Sequence, residues 1–336
     1  MRTGLPQFRL RGSDLTLTLI MVVGLVALGI ASGGSLFSSN GIGNFLTYLS
    51  IPILIGLAQM CVLAIGQLNL AIGAMGGAIS GLMAVMMQDW GAPVWVALLV
   101  GLAVGVLIGA VNGILVVITG LHGFIITLGT MTILVGVQYA LVRSFTISGY
   151  SDVLKSFGGR TLFNIPYLFM GTISVSVLLA LFFARSIAGR RLLATGGSDS
   201  AARLSGISNA SSTVLAFSVS GLITGVAAVV TIASLSGINT SIGGDWLLSS
   251  FAAPIIAGVL LTGGTVAVYG TIVAAVVLRL VEVARAQFLL DPSWTNFVIG
   301  AVVLSTVAIS EYRKRRAMSV MQRRKMSVMQ RRKMVA

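Results

Sequence analysis

Long apolar runs dominate this chain. About ten of them follow one another between short polar breaks, each near the ~20 residues a helix needs to cross a hydrocarbon layer ~30 Å thick. The first half carries runs at 15–33, 44–66, 70–88, 93–119 and 122–142. The second half adds 163–184, 213–235, 247–261, 266–284 and 294–310. Lipid gives the backbone no hydrogen-bond partners, so such runs must be helical or close into a barrel, and none alternates as a barrel strand does. Only 9% of the residues are charged, against about 25% in a soluble domain, which leaves too little polar surface to coat a water-soluble globule. The fold class is therefore all-α, a polytopic membrane protein of about ten transmembrane helices. The first run is too long for the apolar part of a signal peptide, and another run follows at once. It is expected to stay in the mature chain.

Ten spans put both ends of the chain on one side. Arg2, Arg9 and Arg11 precede the first run, and Arg185, Arg190, Arg191 and Arg203 occupy a central polar segment. Ten of the 22 Lys and Arg residues lie between Arg313 and Lys333. All three groups fall on the same side, whereas the other has Arg143, Lys155 and Arg160 beside Asp89, Asp152, Asp245 and Asp291. Loops rich in Lys and Arg stay in the cytoplasm. The expected organisation is a cytoplasmic segment 1–14, a transmembrane domain 15–310 with a cytoplasmic loop at 185–212, and a basic cytoplasmic tail 311–336. The net charge of +14 thus reports topology and contact with membrane lipids, and nucleic acid is not an expected partner. The tail contains a tandem octapeptide, MSVMQRRKMSVMQRRK. It reads either as a strip held on anionic headgroups, at about 1 kcal/mol per basic residue, or as a duplication tolerated in an unconstrained tail.

Residues that could carry chemistry are few. Cys61 and His122 are single and far apart in sequence, too few to ligate a metal. A P-loop needs a lysine after glycine, and none of Lys155, Lys314, Lys325 and Lys333 follows one, so the chain does not hydrolyse ATP by that route. No cofactor and no enzymatic activity are expected. One acid, Glu282, falls well inside a span, between Arg279 and Arg285 on the same helix face, where it can be neutralised. A standalone secondary carrier or channel built on Glu282 is the alternative reading.

The central segment GRRLLATGGSDSAARLSGIS is more informative. Ser198 can cap a short helix that opens with Asp199 and Ser200, and Gly206 can end it in the left-handed conformation. Ala201, Leu204 and Ile207 then form a small apolar stripe with Arg203 off that face. So short a helix is marginal in water unless it docks on something. Uncharged polar residues are scattered through spans two, three and five: Gln59, Gln67, Asn69, Thr127, Thr130, Thr132 and Gln138. They read either as the lining of a pathway for a neutral solute or as interhelical hydrogen bonds, worth about 0.6 kcal/mol each in lipid. Gly101, Gly105, Gly109 and Gly113 recur every fourth residue, which marks a close packing seam.

Four stretches, in order, resemble the membrane permease subunits of bacterial ABC importers of the ribose, xylose, galactose and autoinducer branch. They are GQLNLAIGAMGGAISG, GFIITLGTMTILVG, AARLSGI and AGVLLTGGTVAVYGT. The resemblance implies the ABC importer permease fold and a second permease subunit, the same or related. It also implies cytoplasmic ATPase subunits that bind the ATP, and a periplasmic or lipid-tethered sugar-binding protein. It makes Ser198, Asp199, Ser200, Ala201, Ala202, Arg203, Leu204 and Gly206 the ATPase-coupling segment, and implies the cell inner membrane as the location. Gln59, Gln67, Asn69, Thr127 and Thr130 are the expected translocation pathway, and the resemblance favours Asn69 and Thr127, which lie in its motifs. Two positions depart from the family pattern. Ser200 stands where a glutamate is usual, and Asn69 where an aspartate is usual, an amide that both donates and accepts.

Overall fold

The computed structural model describes residues 12–143, 146–291, 293–294, 296–301 and 304–305. The segment 1–11, residues 295, 302–303 and 306–310 of the tenth expected span, and the basic tail with its octapeptide repeat lie outside the described residues.

Helices account for the other nine spans. They are α1 (Gly12–Ala31), α2 (Ser39–Leu63), α3 (Ile72–Gln88), α4 (Val94–Thr119) and α5 (Gly123–Val142), then α6 (Asp152–Gly158), a short helix outside the spans. After it come α7 (Tyr167–Arg185), the hairpin α8 (Ile187–Gly197) and α9 (Asp199–Leu204), α10 (Asn209–Ser234), α11 (Trp246–Ile256) and α12 (Val268–Gln287). By length and composition α2, α4, α5, α7 and α10 can each cross a membrane. The stretch Leu15–Ala31 of α1, and helices α3 and α11, are apolar but shorter, and α12 carries the charges Arg279, Glu282 and Arg285. Two small antiparallel ladders, β1 (Ile147–Ser148) with β4 (Gly237–Ile238) and β2 (Thr161–Leu162) with β3 (Ile165–Pro166), trim the α6 end of the bundle.

The eighth span differs most from expectation. Instead of a run through 247–261, α11 stops at Ile256 and the chain continues without helix to Ala267. Gly258 causes the stop. It adopts φ +78°, its N–H bonds to Ile255 O at 2.9 Å and the Val259 N–H to Pro254 O at 3.0 Å, a Schellman closure that a residue with a Cβ would strain. Gly66 ends α2 the same way at φ +73°, with Gly66 N to Leu63 O at 2.9 Å and Gln67 N to Val62 O at 3.2 Å. The core therefore holds two non-helical interruptions, 64–71 and 257–267.

Helices α2, α3 and α10 form the centre. Ile53, Leu54, Leu57, Met60, Met75, Ile79 and Phe217 are fully buried there. Helix α10 runs along α4 and crosses α2, α5 lies on α3, and α11 and α12 cover the other side of α2, with α1 outside α12. The expected glycine seam is internal. A Cβ at Gly105 would lie 2.5 Å from Gly221 O, and one at Gly109 2.2 Å from Phe217 O, so only glycine lets α4 and α10 approach backbone to backbone. Outward faces of α4, α5 and α7 stay apolar, as Leu99, Ile118, Ile133 and Leu178 show, which suits lipid or a second membrane subunit and not water.

Candidate functional site

Buried backbone that leaves a helix must find other partners, and in a membrane water cannot supply them. The interruption 64–71 meets that demand with side chains. Thr127 Oγ1 accepts from Leu70 N at 2.9 Å and donates to Gly123 O at 2.7 Å. Asn69 Oδ1 accepts from Ala71 N at 3.0 Å, and its Nδ2 donates to Ser220 Oγ at 3.3 Å. In the amide orientation that satisfies both groups, Gln59 donates to Asn69 O at 2.9 Å and accepts from Asn69 N at 3.3 Å. Gln67 Oε1 accepts from Gly123 N at 2.6 Å, holding the first turn of α5. His122 completes the set. Its Nδ1 accepts from Phe124 N at 3.2 Å, so its Nε2 carries the proton and donates to Gly66 O at 3.2 Å.

Gln59, Asn69 and Thr127 are fully buried, and each gives at least one polar atom to this interruption. Thr130 is farther along α5 and donates to Asn112 Oδ1 of α4 at 2.6 Å. A cavity of about 420 Å³ lies nearby, between α3, α5 and the chain entering α11. Gln138, Tyr139, Thr240, Asp245 and Asn296 are its polar wall; Leu70, Met131, Val135, Leu247 and Leu248 are its apolar wall. None of the five expected pathway residues borders it; of the wider polar set only Gln138 does. Its Nε2 donates to Asn239 O at 3.3 Å and Ile242 O at 3.0 Å and so fixes the loop that forms one rim.

The expected short helix in the central segment is present as α9. Ser198 caps it by accepting from Ala201 N at 3.3 Å. Gly206 closes it at φ +75°, with Gly206 N to Arg203 O at 2.9 Å and Ile207 N to Ala202 O at 3.0 Å. Of the expected stripe, Ala201 and Leu204 face outward and Ile207 is half-buried. Ala202 is the buried residue, Ala201 and Ser200 are exposed, and Leu204 is 91% exposed. Arg203 pairs with Asp199 at 3.1 Å, one turn earlier. Sequence reasoning missed Asn209, the first residue of α10, which donates from Nδ2 to Asp199 O at 3.0 Å and to the Asp199 carboxylate, and accepts from Thr195 Oγ1 at 3.3 Å. It also missed α8, whose start is signalled by Ser186 accepting from Gly189 N at 2.8 Å. At the other end of the bundle Glu282 is committed to Arg279 at 2.7 Å, and that guanidinium lies 5.3 Å from the centre of the Tyr48 ring.

Residues 41–307 match the family described as the permease component of the branched-chain amino acid transport system. The chain belongs to this family. Similar curated permeases include the fructose import permease of Rhizobium meliloti, 27% identical over 89% of this chain and 85% of its own length. The D-allose transport system permease of Escherichia coli is 26% identical over 85% of this chain and 89% of its own. For the ribose import permease of Haemophilus influenzae the values are 28%, 86% and 90%. No solved structure matches this permease significantly. It is an integral membrane protein built of apolar helices.

Proposed function

We propose that this permease is the membrane subunit of an ATP-binding cassette importer that carries a monosaccharide or related small polyol across the cell inner membrane. A separate ATPase subunit drives it. The observation that carries the reading is the α9 tip: a capped, Schellman-closed helix, tied by Asn209, that presents Leu204 at 91% exposure at the end of the hairpin. An apolar side chain fixed in that way suits a groove on a partner, and the hairpin would be the cytoplasmic coupling element. That orientation leaves both chain ends in the cytoplasm. The related permeases import fructose, allose and ribose, which supports a sugar as cargo. ATP is then the partner's substrate, and the chain itself catalyses no reaction. The acid a standalone ion-coupled carrier would use, Glu282, is held by Arg279.

The test is affinity purification of the tagged chain from native membranes, together with uptake of radiolabelled fructose, allose and ribose by cells that lack or carry it. The expected result is co-purification of an ATPase, its loss with Leu204→Glu, and uptake of at least one sugar only in complemented cells. Solute accumulation against its gradient in liposomes holding this chain alone would overturn the proposal.

A further inference from the structure

The α8 helix ends on two glycines that stand in different surroundings. A Cβ at Gly197 would meet nothing within 4 Å. A Cβ at Gly196 would lie 2.0 Å from Ala64 O, in the first interruption, and 2.5 Å from Gly264 N, in the second. Those two interruptions are joined directly, since Gly264 N donates to Ala64 O at 2.9 Å. Gly263 completes the contact: a Cβ there would lie 2.6 Å from Gly66 N and 2.9 Å from Gly196 O. Three stretches of chain, remote in sequence, thus touch backbone on backbone with no side chain between them. Such a contact has no rotamers to absorb displacement, and packed backbone transmits strain.

What the joint connects gives it meaning. The first interruption leads to Leu70 and Gly73 on one wall of the 420 Å³ cavity, and the second follows α11, whose Leu247 and Leu248 form another wall. We infer that Gly196, Ala64 and Gly264 form a rigid backbone joint through which movement of the α8–α9 hairpin displaces both cavity walls together. This rests on the importer reading and adds to it the residues that position the walls. These are positioning residues; they touch no cargo.

The experiment uses the intact complex, purified through a tag on this chain, with an environment-sensitive fluorophore on Ile187→Cys of α8 or on Leu248→Cys of α11. Both sites are exposed, and the native Cys61 is buried. ATP with vanadate is the stimulus. The Ile187 probe is expected to respond in the otherwise native chain and in both Gly196→Ala and Gly197→Ala. The Leu248 probe is expected to respond in the native chain and in Gly197→Ala, and to lose roughly 2- to 30-fold in amplitude in Gly196→Ala, the usual range for a broken coupling contact. A full Leu248 response in Gly196→Ala overturns the joint and leaves the importer reading standing. No Ile187 response in the native complex overturns the importer reading, and the joint with it. Should Gly196→Ala fail to assemble, hydrogen exchange of the native complex decides. Protection of the Gly264 amide that is unchanged by ATP–vanadate supports the joint, and nucleotide-induced exposure overturns it.

Discussion

Replacing Thr127 by valine separates two accounts of the polar residues in the core. Valine keeps the volume and β-branching of threonine, so no cavity opens and the helix rotamer is kept. The loss is confined to hydrogen bonds. Gly123 O, to which Thr127 donates at 2.7 Å, still has its helical partner one turn on. Leu70 N does not. It lies in non-helical chain, and the fully buried Thr127 Oγ1 at 2.9 Å is its acceptor. An ordinary interhelical hydrogen bond in lipid contributes about 0.6 kcal/mol, whereas a buried donor stripped of its acceptor costs about 1–3 kcal/mol. Unfolding of the purified chain in mixed micelles by increasing SDS measures the difference. Thr127→Val is expected to lose about 1–3 kcal/mol, and Thr127→Ser to recover most of it. Thr132→Val, which removes a hydroxyl bonded only to Leu128 O on an exposed face, is expected to lose less than about 0.5 kcal/mol. Equal losses for Thr127→Val and Thr132→Val would refute the assignment of Thr127 as the support of the interruption.

Three further outcomes follow from the geometry. Gly109→Ala places a methyl 2.2 Å from Phe217 O and should destabilise the chain by about 1–3 kcal/mol, while Gly129→Ala on α5, with nothing within 4 Å, should be neutral or stabilising by up to about 1 kcal/mol in the same SDS titration. Tyr150 donates to Ile232 O and Leu235 O, each at 2.7 Å, and burial pushes its hydroxyl pKa up to about 12, so it remains a neutral donor at every physiological pH. Tyr150→Phe should cost about 1–3 kcal/mol at pH 7 by the same measurement. Ser198→Ala removes the α9 cap and should weaken that helix by about 1 kcal/mol, seen as roughly fivefold faster hydrogen exchange across α9 with no change in α10.

The features legible in the sequence are those whose causes are local. Lipid forces helices wherever the chain is apolar for long enough, so the helices α1 to α5, α7, α10 and α12 could be read directly, five of them (α2, α4, α5, α7 and α10) long and apolar enough to cross a membrane. Ser198 and Gly206 bracket α9 within nine residues, and every partner in that cap and closure is part of the same stretch. The glycine seam was legible too, because its four-residue period is a property of one helix, although only the fold could say that α10 is what it meets.

What the sequence left open has the opposite character. Gln59, Asn69 and Thr127 have the chemistry of a pathway for a neutral solute, but backbone deprived of water needs the same uncharged donors and acceptors. Which role applies depends on whether residues 64–71 are helical, and that is decided by Ser220, 151 positions from Asn69, and by Thr127, 57 from Leu70. Gly196 and Gly197 look alike in the sequence, both simply helix breakers near the end of α8. Gly196 is distinguished only by Ala64 and Gly264, which arrive from opposite directions along the chain. Residues that support and move the cavity are thus specified by contacts across the fold, whereas the helix offered to a partner is specified by neighbours. That division is physically reasonable: a docking element must keep its shape while its surroundings rearrange, so its stability has to be local. A joint must change its surroundings, so its partners have to be remote.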